Sequence, residues 1–186
     1  MGIDPYPAEL FPVSDYSIDI KNEFKIDEKV VIAGRLMSRR IQGNASFAEL
    51  QDSKGKIQLY FNRDEICPDN DKTYYNEFYK KLLDIGDIIG VEGVLFKTKV
   101  GEKTVLVKSF KLLSKSLKPL PLPKEDSEGN LYDEFNDPEL RFRQRYVDLI
   151  VNSGVKETFI KRTLITIISR EFLNQREYLE VETPIL

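Results

Sequence analysis

Phe47 is the side chain with the clearest chemical use in this chain, because the sequence places it on the polar face of a predicted strand. The run 45–51 alternates, and successive side chains of a strand point to opposite faces, so Phe47 shares its face with Glu49 and Gln51. An aromatic ring on a solvated sheet face is a surface on which an unstacked nucleobase can lie. On this run alone, an edge aromatic half-covered by a loop explains the pattern equally well.

The next strand-like run, 56–62, repeats the alternation. Gln58 and Tyr60 lie with Lys56 on its polar face, and the other face is apolar. A ring, a carboxamide and a cation on one face can stack on a base, hydrogen-bond to its edge and attract phosphate. The two runs together predict a surface for single-stranded nucleic acid.

The charge distribution supports a local polyanion site. The chain has 186 residues, 32% of them charged, and a formal net charge of −3. Yet the segment 29–63 has seven Lys or Arg against two Asp or Glu, and 97–111 has five against one. Basic strands in a mildly acidic protein indicate a confined site rather than a generally basic surface. A solvated, ion-paired sheet face is the alternative, which the aromatic residues disfavour.

Composition also excludes several kinds of site. The chain has no His and a single cysteine, Cys67, so we expect no metal site, no internal disulfide and no histidine base. We find no apolar run long enough to cross a bilayer and no export leader. We therefore expect a cytoplasmic protein that does not interact with membranes.

Five predicted strands and one helix follow each other in the order β-β-β-α-β-β. Turn residues separate the first three strands, and the helix at 74–83 has an apolar stripe of Phe78, Leu82 and Ile85. The order is that of an OB-fold, a small five-stranded Greek-key barrel whose second and third strands bind oligonucleotides. The predicted strands lie near 29–41, 45–51, 55–62, 87–99 and 103–113.

The remaining sequence has a different pattern. Helical periodicity runs from Val155 to Tyr178, and Val181 to Ile185 suggests a strand that Pro184 interrupts. One helix and one strand cannot bury their apolar faces alone, so this part needs more chain or a partner. The apolar stripe of the helix consists of Phe159, Ile160, Leu164, Ile167, Ile168 and Phe172.

The predicted fold class is mainly β with a smaller α part. We divide the chain into four regions. They are a lead-in at 1–28 with a short helix within 17–27, an OB-fold domain at 29–114, a linker at 115–136 and an incomplete α+β domain at 137–186. Prolines stiffen the linker, and Lys124 to Asn130 is polar and loose. The basic run Arg141–Tyr146 suits either phosphate binding or a structural role, and we favour the structural role.

Ten short segments spread over the chain form a recognisable series. They are DPYP at 4–7, AGRLMSRR at 33–40, ASF at 45–47, LQD at 50–52, IQLY at 57–60, FKTK at 96–99, GE at 101–102, LKPLP at 117–121, RFRQRYVDL at 141–149 and EVETP at 180–184. In this order the segments resemble class II lysyl-tRNA synthetases, and the last of them resembles motif 1 of class II synthetases. Aspartyl and asparaginyl enzymes share the barrel and motif 1 but do not resemble this chain in its Arg-Gln-Arg-Tyr and Phe-Lys-Thr-Lys segments.

The resemblance implies a set of residues that bind the uridine-rich anticodon loop of lysine tRNA. Phe47 would stack on the central anticodon base, and Gln58 would hydrogen-bond to its edge. Glu102 would recognise the first anticodon base. Arg39 would contact the same loop, and we add Arg35 to this set.

The resemblance also implies that the parent enzyme is a homodimer that ligates lysine to its tRNA. In this family motif 1 lies at the dimer interface, which would here include Phe172, Glu182 and Pro184. The motifs that hold ATP, lysine and magnesium in the family have no match in these residues. We therefore expect the chain to bind tRNA. We expect it to contain no catalytic residue and to bind no metal or cofactor. One departure is Asn44, where the family usually has a lysine.

Three other hypotheses remain open from the residues. The first is a synthetase of the aspartyl or asparaginyl type, which would recognise a different first anticodon base. The second is a free-standing OB module that binds single strands without sequence preference and dimerises through its long helix. The third is an architectural fragment whose barrel binds no RNA.

Overall fold

The chain forms two compact units, Met1–Pro119 and Leu120–Leu186. We describe them from a computed structural model, in which residues 2–125, 131–132, 134–152, 154–182 and 184 are placed well enough for description. The first unit contains the β-sheet and the second is mostly helical.

The first unit is a closed five-stranded barrel with the strand order β1-β2-β3-β5-β4. Strand β1 pairs antiparallel with both β2 and β4, whereas β3 and β5 run parallel and close the ring. This confirms the predicted OB-fold and the β-β-β-α-β-β order. The strands are β1 Lys29–Gln42, β2 Ala45–Gln51, β3 Lys56–Asn62, β4 Ile88–Lys97 and β5 Lys103–Ser114.

The predicted faces of β2 and β3 are confirmed. Every second residue is buried along both strands, and Leu50, Ile57 and Leu59 lie in the barrel interior with at most 1% of their surface exposed. Phe47 and Gln58 lie on the opposite, partly exposed face. Burial of the aliphatic face fixes the register, because a slip of one residue would turn every side chain to the other side.

Two tight turns connect the first three strands. The first joins Gln42 to Ala45 and uses Gly43 at φ 61°, a conformation that favours glycine. At the second turn, the side chain of Asp52 accepts hydrogen bonds from the backbone N–H groups of Lys54 and Gly55, at 2.8 and 2.7 Å. The carboxylate thus satisfies backbone donors that the turn leaves without a strand partner.

Three helices accompany the barrel: α1 Ser17–Asn22, α2 Arg63–Ile66 and α3 Tyr74–Leu82. Helix α1 ends five residues before the predicted limit of its segment. Helix α3 is a π-helix, in which Leu83 N–H donates to the Phe78 carbonyl over five residues at 2.9 Å.

The predicted apolar stripe of α3 is wrong in two of its three members. Phe78 is buried, but Leu82 and Ile85 are 52% and 39% exposed. The buried face instead contains Tyr75 and Tyr79, because a π-helix takes more residues per turn than the α-helix on which the prediction depended. The Tyr79 ring stacks on Phe61 of β3 with ring centres 4.3 Å apart, so the helix packs on the end of the barrel core.

The second unit contains a short two-stranded ladder and three helices. Lys124–Glu125 (β6) pairs with Leu131–Tyr132 (β7), so the prediction of a loose 124–130 segment is wrong for its first two residues, and 126–130 lie outside the described part. Backbone hydrogen bonds can form such a ladder without any apolar alternation in the sequence. The helices are α4 Pro138–Arg143, α5 Arg145–Val151 and α6 Val155–Asn174.

Arg141 and Arg145 have a structural role, as we favoured. Asp148 is buried, and its Oδ1 accepts hydrogen bonds from Arg141 at 2.9 Å and from Asn152 at 2.8 Å. Arg145 pairs with Oδ2 of the same carboxylate. Burial by itself would raise the pKa of Asp148, but the hydrogen bonds from Asn152 and Arg141 and the two guanidinium charges outweigh it and lower the pKa below its usual value. This network joins α4 to α5.

Helix α6 ends earlier than predicted, at Asn174 rather than Tyr178. Glu177 has φ 65°, and Tyr178 N–H donates to the Leu173 carbonyl at 3.2 Å, which is the Schellman arrangement that stops a helix. The predicted strand after it is not formed by residues 178–182 and 184, while 183, 185 and 186 lie outside the described residues. A strand needs a neighbour with which to pair, and the described residues supply none there. None of the helices in the described part of the chain combines the length and apolar composition needed to cross a bilayer.

Candidate nucleic-acid interface

An open cleft of about 340 Å³ lies over the outer face of β2 and β3. Four cations and two carboxylates line it, together with one aromatic ring and one carboxamide, so its charge is net positive. A positive, open cleft with a ring in it suits a single strand of nucleic acid better than a small apolar ligand. The lining residues are Lys21, Ser38, Arg39, Arg40, Phe47, Ala48, Glu49, Lys56, Ile57, Gln58 and Glu102.

The ring of Phe47 is held from one side by Tyr60. The two residues face each other across β2 and β3, and their ring centres are 5.0 Å apart at an angle of 45°. Tyr60 in turn contacts Phe96 of β4 edge-on at 5.7 Å. These contacts fix the Phe47 ring at the cleft, so it is pre-organised for stacking and loses little freedom when a base binds.

The carboxamide of Gln58 is held by a neighbouring strand. The hydroxyl of Thr104 on β5 donates to Gln58 Oε1 at 2.7 Å. Within the described residues Nε2 of Gln58 has no protein partner, and Gln58 lines the cleft. The side chain therefore presents a hydrogen-bond donor to whatever occupies the cleft.

Glu102 ends the turn between β4 and β5. Its N–H donates to Thr98 Oγ1 at 3.1 Å, and its carbonyl accepts from Thr98 N–H at 3.0 Å. Gly101 takes φ 86°, which lets the chain reverse tightly. The turn thus brings an exposed carboxylate, unpaired within the described residues, to the cleft that Phe47 and Gln58 line.

The same turn is tied to the lead-in segment. Lys103 donates to the carbonyl of Lys21 at the end of α1, and its ammonium lies 5.6 Å from the ring centre of Phe24. The ammonium of Lys97, at the other end of the turn, lies 5.8 Å from the same ring. These cation–π contacts fix the β4–β5 turn beside the cleft.

The two predicted arginines lie in different places. Arg39 lines the cleft, but its guanidinium donates to the carbonyls of Tyr79 and Lys80 at the end of α3, the second at 3.4 Å. Arg35 donates to the Gly86 carbonyl at 2.7 Å and does not line the cleft. The structure thus brings together Phe47, Gln58, Glu102 and Arg39, and leaves Arg35 outside this group.

The predicted interface residues lie in the second unit. The side chain of Phe172 on α6 is 51% exposed, with the guanidinium of Arg176 3.5 Å from its ring centre. Glu182 and Pro184 are exposed as well. The other members of the α6 stripe are also exposed, between 38% and 60%.

Two family models match the chain. Residues 30–113 match a family described as an OB-fold nucleic acid binding domain, the anticodon-binding type. Residues 137–186 match the class II tRNA synthetases for D, K and N. The second model by itself does not distinguish the enzymes for aspartate (D), lysine (K) and asparagine (N).

Comparison with curated relatives narrows the choice. The chain is 69% identical over 185 residues to a lysine–tRNA ligase of Christiangramia forsetii, which it matches over 100% of its own length and 32% of that protein. It is 53% identical to the enzyme of Porphyromonas gingivalis and 55% identical to that of Azobacteroides pseudotrichonymphae, covering 33% and 37% of them. Along its whole length the chain is similar to lysine–tRNA ligases. It spans about a third of the length of the relatives it matches.

Sequence reasoning missed two contributors to this cleft. Lys21 lines it, although the linear sequence separates it from the basic strands. Thr104 supports Gln58, although the two lie on strands whose parallel pairing appears only on barrel closure. No pattern along the chain indicates either contact.

The described residues include no group of three or more His, Cys, Asp or Glu side chains that could hold a metal ion.

Proposed function

We propose that the outer face of the barrel binds the uridine-rich anticodon loop of lysine tRNA, and that the whole protein ligates lysine to that tRNA with ATP and magnesium. The observation that supports this best is that Phe47, Gln58 and Glu102 line one positive cleft on β2, β3 and the β4–β5 turn. The lysine–tRNA ligase relatives supply the reaction. Because that reaction belongs to translation, we place the protein in the cytoplasm.

The polar side chains of the cleft can hydrogen-bond to a pyrimidine that presents carbonyl groups. Uracil presents carbonyl acceptors and an imide N–H along one edge. Gln58 offers N–H donors to a carbonyl, and the Glu102 carboxylate can accept an imide proton of a neighbouring base. Phe47 contributes stacking for the central base, which is insensitive to base identity. Identity thus depends on the two polar side chains.

The cations around the cleft add phosphate attraction. Arg40 is exposed and has no protein partner within the described residues. Lys56, by contrast, forms an ion pair with Glu49, in which Nζ lies 2.8 Å from Oε1. We assign Arg40 and Lys21 to the phosphate backbone. Arg39 is held by backbone carbonyls, so it contributes mainly its charge. We keep Arg35 as a more distant contributor of positive charge.

We propose that the second unit contributes to a homodimer interface through α6 and the segment that contains Glu182 and Pro184. The support is the exposed apolar stripe of α6, in which Phe172 and the other members would remain in water without a partner. Apolar surface of this extent on one helix favours burial against a second copy.

The test of anticodon binding is a panel of anticodon stem-loops measured by fluorescence anisotropy with the 186-residue chain. We expect the tightest binding for the loop with three uridines and weaker binding when the first or the central base is changed. Preference for a different first base would favour an aspartyl- or asparaginyl-type enzyme. Equal affinity for poly-uridine and poly-cytidine would favour an unspecific OB module, and the absence of salt-dependent RNA binding would favour an inert barrel.

The reaction is tested separately. We expect the 186-residue chain to bind lysine tRNA without charging it, because the family motifs that hold ATP, lysine and magnesium have no match in these residues. The full-length protein should form lysyl-tRNA in the presence of ATP and magnesium. Charging of another amino acid by the full-length protein would contradict the proposal.

A further inference from the structure

Thr104 contacts both residues that we assign to base recognition, Gln58 through its side chain and Glu102 through its backbone carbonyl. It is fully buried, and its Oγ1 is 2.7 Å from Gln58 Oε1 and 3.2 Å from the carbonyl oxygen of Glu102. Gln58 and Thr104 are direct neighbours in the parallel pairing of β3 with β5. A single hydroxyl on the strand that closes the barrel therefore touches both candidate recognition residues.

A threonine hydroxyl has one proton, which can be donated in one direction at a time. The Glu102 carbonyl already accepts from Thr98 N–H at 3.0 Å and is the more distant of the two oxygens. Gln58 Oε1 is closer and has no other donor among the described residues. The hydroxyl proton is therefore donated to Oε1 of Gln58, which has no other donor among the described residues.

This hydrogen bond favours one orientation of the carboxamide over the other. With Oε1 held by Thr104 at 2.7 Å, the N–H groups of Gln58 point away from the hydroxyl. A reversed carboxamide would have to donate to the hydroxyl and turn the hydroxyl proton to the Glu102 carbonyl, which is more distant at 3.2 Å, and it would present an oxygen to the cleft, which suits an amino group on a base rather than a carbonyl. Uracil presents a carbonyl where cytosine presents an amino group, so this orientation decides between the two.

We propose that Thr104 is a positioning residue that sets the polarity of Gln58 and thereby makes the cleft prefer uridine over cytidine at the central position. The RNA part of this inference rests on the proposed anticodon-binding function. The positioning itself is a property of the RNA-free protein and can be measured there.

The test compares Thr104→Val, which removes the hydroxyl and keeps the branched shape, with Thr104→Ser, which keeps the hydroxyl. Stem-loops with a central uridine or a central cytidine are titrated into each variant and the wild type. We expect the uridine-to-cytidine affinity ratio to fall about tenfold in Thr104→Val, the loss of one hydrogen bond to a buried group, and to stay at the wild-type value in Thr104→Ser. Melting temperatures report whether both variants fold.

A second measurement separates this inference from the proposed function. The side-chain NH₂ resonances of Gln58 in the RNA-free protein should move in Thr104→Val and stay in place in Thr104→Ser. If they move as expected but the wild type does not distinguish the stem-loops, the positioning holds and the proposed function fails. Unmoved resonances, an unchanged affinity ratio in Thr104→Val, or an equal loss in both variants would overturn the role of Thr104.

Discussion

At the scale of single residues, the proposed function assigns stacking and base recognition to different side chains of the cleft. Phe47 provides a ring that Tyr60 holds at 5.0 Å, and Gln58 provides a donor that Thr104 orients. The first interaction accepts any base, whereas the second depends on the pattern of donors and acceptors along the base edge. Variants of the two residues should therefore fail in different ways.

Replacing Phe47 by Ala should weaken binding of a uridine-rich stem-loop by about 1–3 kcal/mol, because the stacked ring is lost. The loss should be similar for loops with a central uridine or a central cytidine. Phe47→Leu is the matched control, since it keeps apolar bulk without a ring and should bind almost as poorly, while Phe47→Tyr should bind like the wild type. Anisotropy titrations at moderate salt measure this, and unchanged affinity of Phe47→Ala would refute the stacking surface.

At the scale of elements, helix α3 joins the barrel core through two buried tyrosines with different surroundings. The hydroxyl of Tyr75 is 2.7 Å from Oγ of Ser46, which is itself buried on β2. The hydroxyl of Tyr79 is buried near the same serine but has no hydrogen-bond partner within the described residues. Two otherwise similar side chains of one helix thus differ in one interaction.

This difference predicts opposite effects of removing the two hydroxyls. Tyr75→Phe should lower the free energy of unfolding by about 1 kcal/mol or more, because Ser46 loses its partner in a buried place. Tyr79→Phe should be neutral or stabilising, because it removes a buried polar atom that has no partner. Urea denaturation of both variants measures this, and equal destabilisation would contradict it.

The Arg141–Asp148–Arg145 network is the corresponding element-scale feature of the second unit. Because the folded-state pKa of Asp148 is lowered, its carboxylate contributes stability above the ordinary pKa of an aspartate. That contribution is lost as the pH falls through the lower, folded-state value. The helices α4 and α5 are thus held together by a charge that persists throughout the neutral range.

At the scale of the whole molecule, the exposed stripe of α6 is the surface through which we propose that the protein dimerises. We expect the chain to dimerise in sedimentation equilibrium experiments and Leu164→Asp to shift it toward monomer, because Leu164 lies in the apolar stripe at 49% exposure. Ser169→Asp is the matched control. It adds the same charge five residues later, about 140° around the α-helix from Leu164, and should leave the dimer intact.

Two results would contradict the dimer. One is a wild-type chain that stays monomeric at concentrations at which homodimers with interfaces of similar buried area associate. The other is equal dissociation by both α6 substitutions, which would indicate a general effect of charge rather than a buried stripe.

The sequence by itself determined the barrel and the sidedness of its strands. Alternation along 45–51 and 56–62 identified the face that contains Phe47 and Gln58, because a strand has a period of two residues and this pattern is local. It also identified α6 and its apolar stripe through a period near 3.6. The family followed from short segments in a fixed order.

Only the tertiary structure decided how the cleft is assembled. The π-helical form of α3 put Tyr75 and Tyr79 on its buried face instead of Leu82, and the helix ended before Ile85. Barrel closure brought Thr104 to Gln58, and the lead-in placed Lys21 at the cleft. Each of these contacts joins residues on elements that are distant in the chain, so no local spacing contains them, and they exist only once the strands have closed.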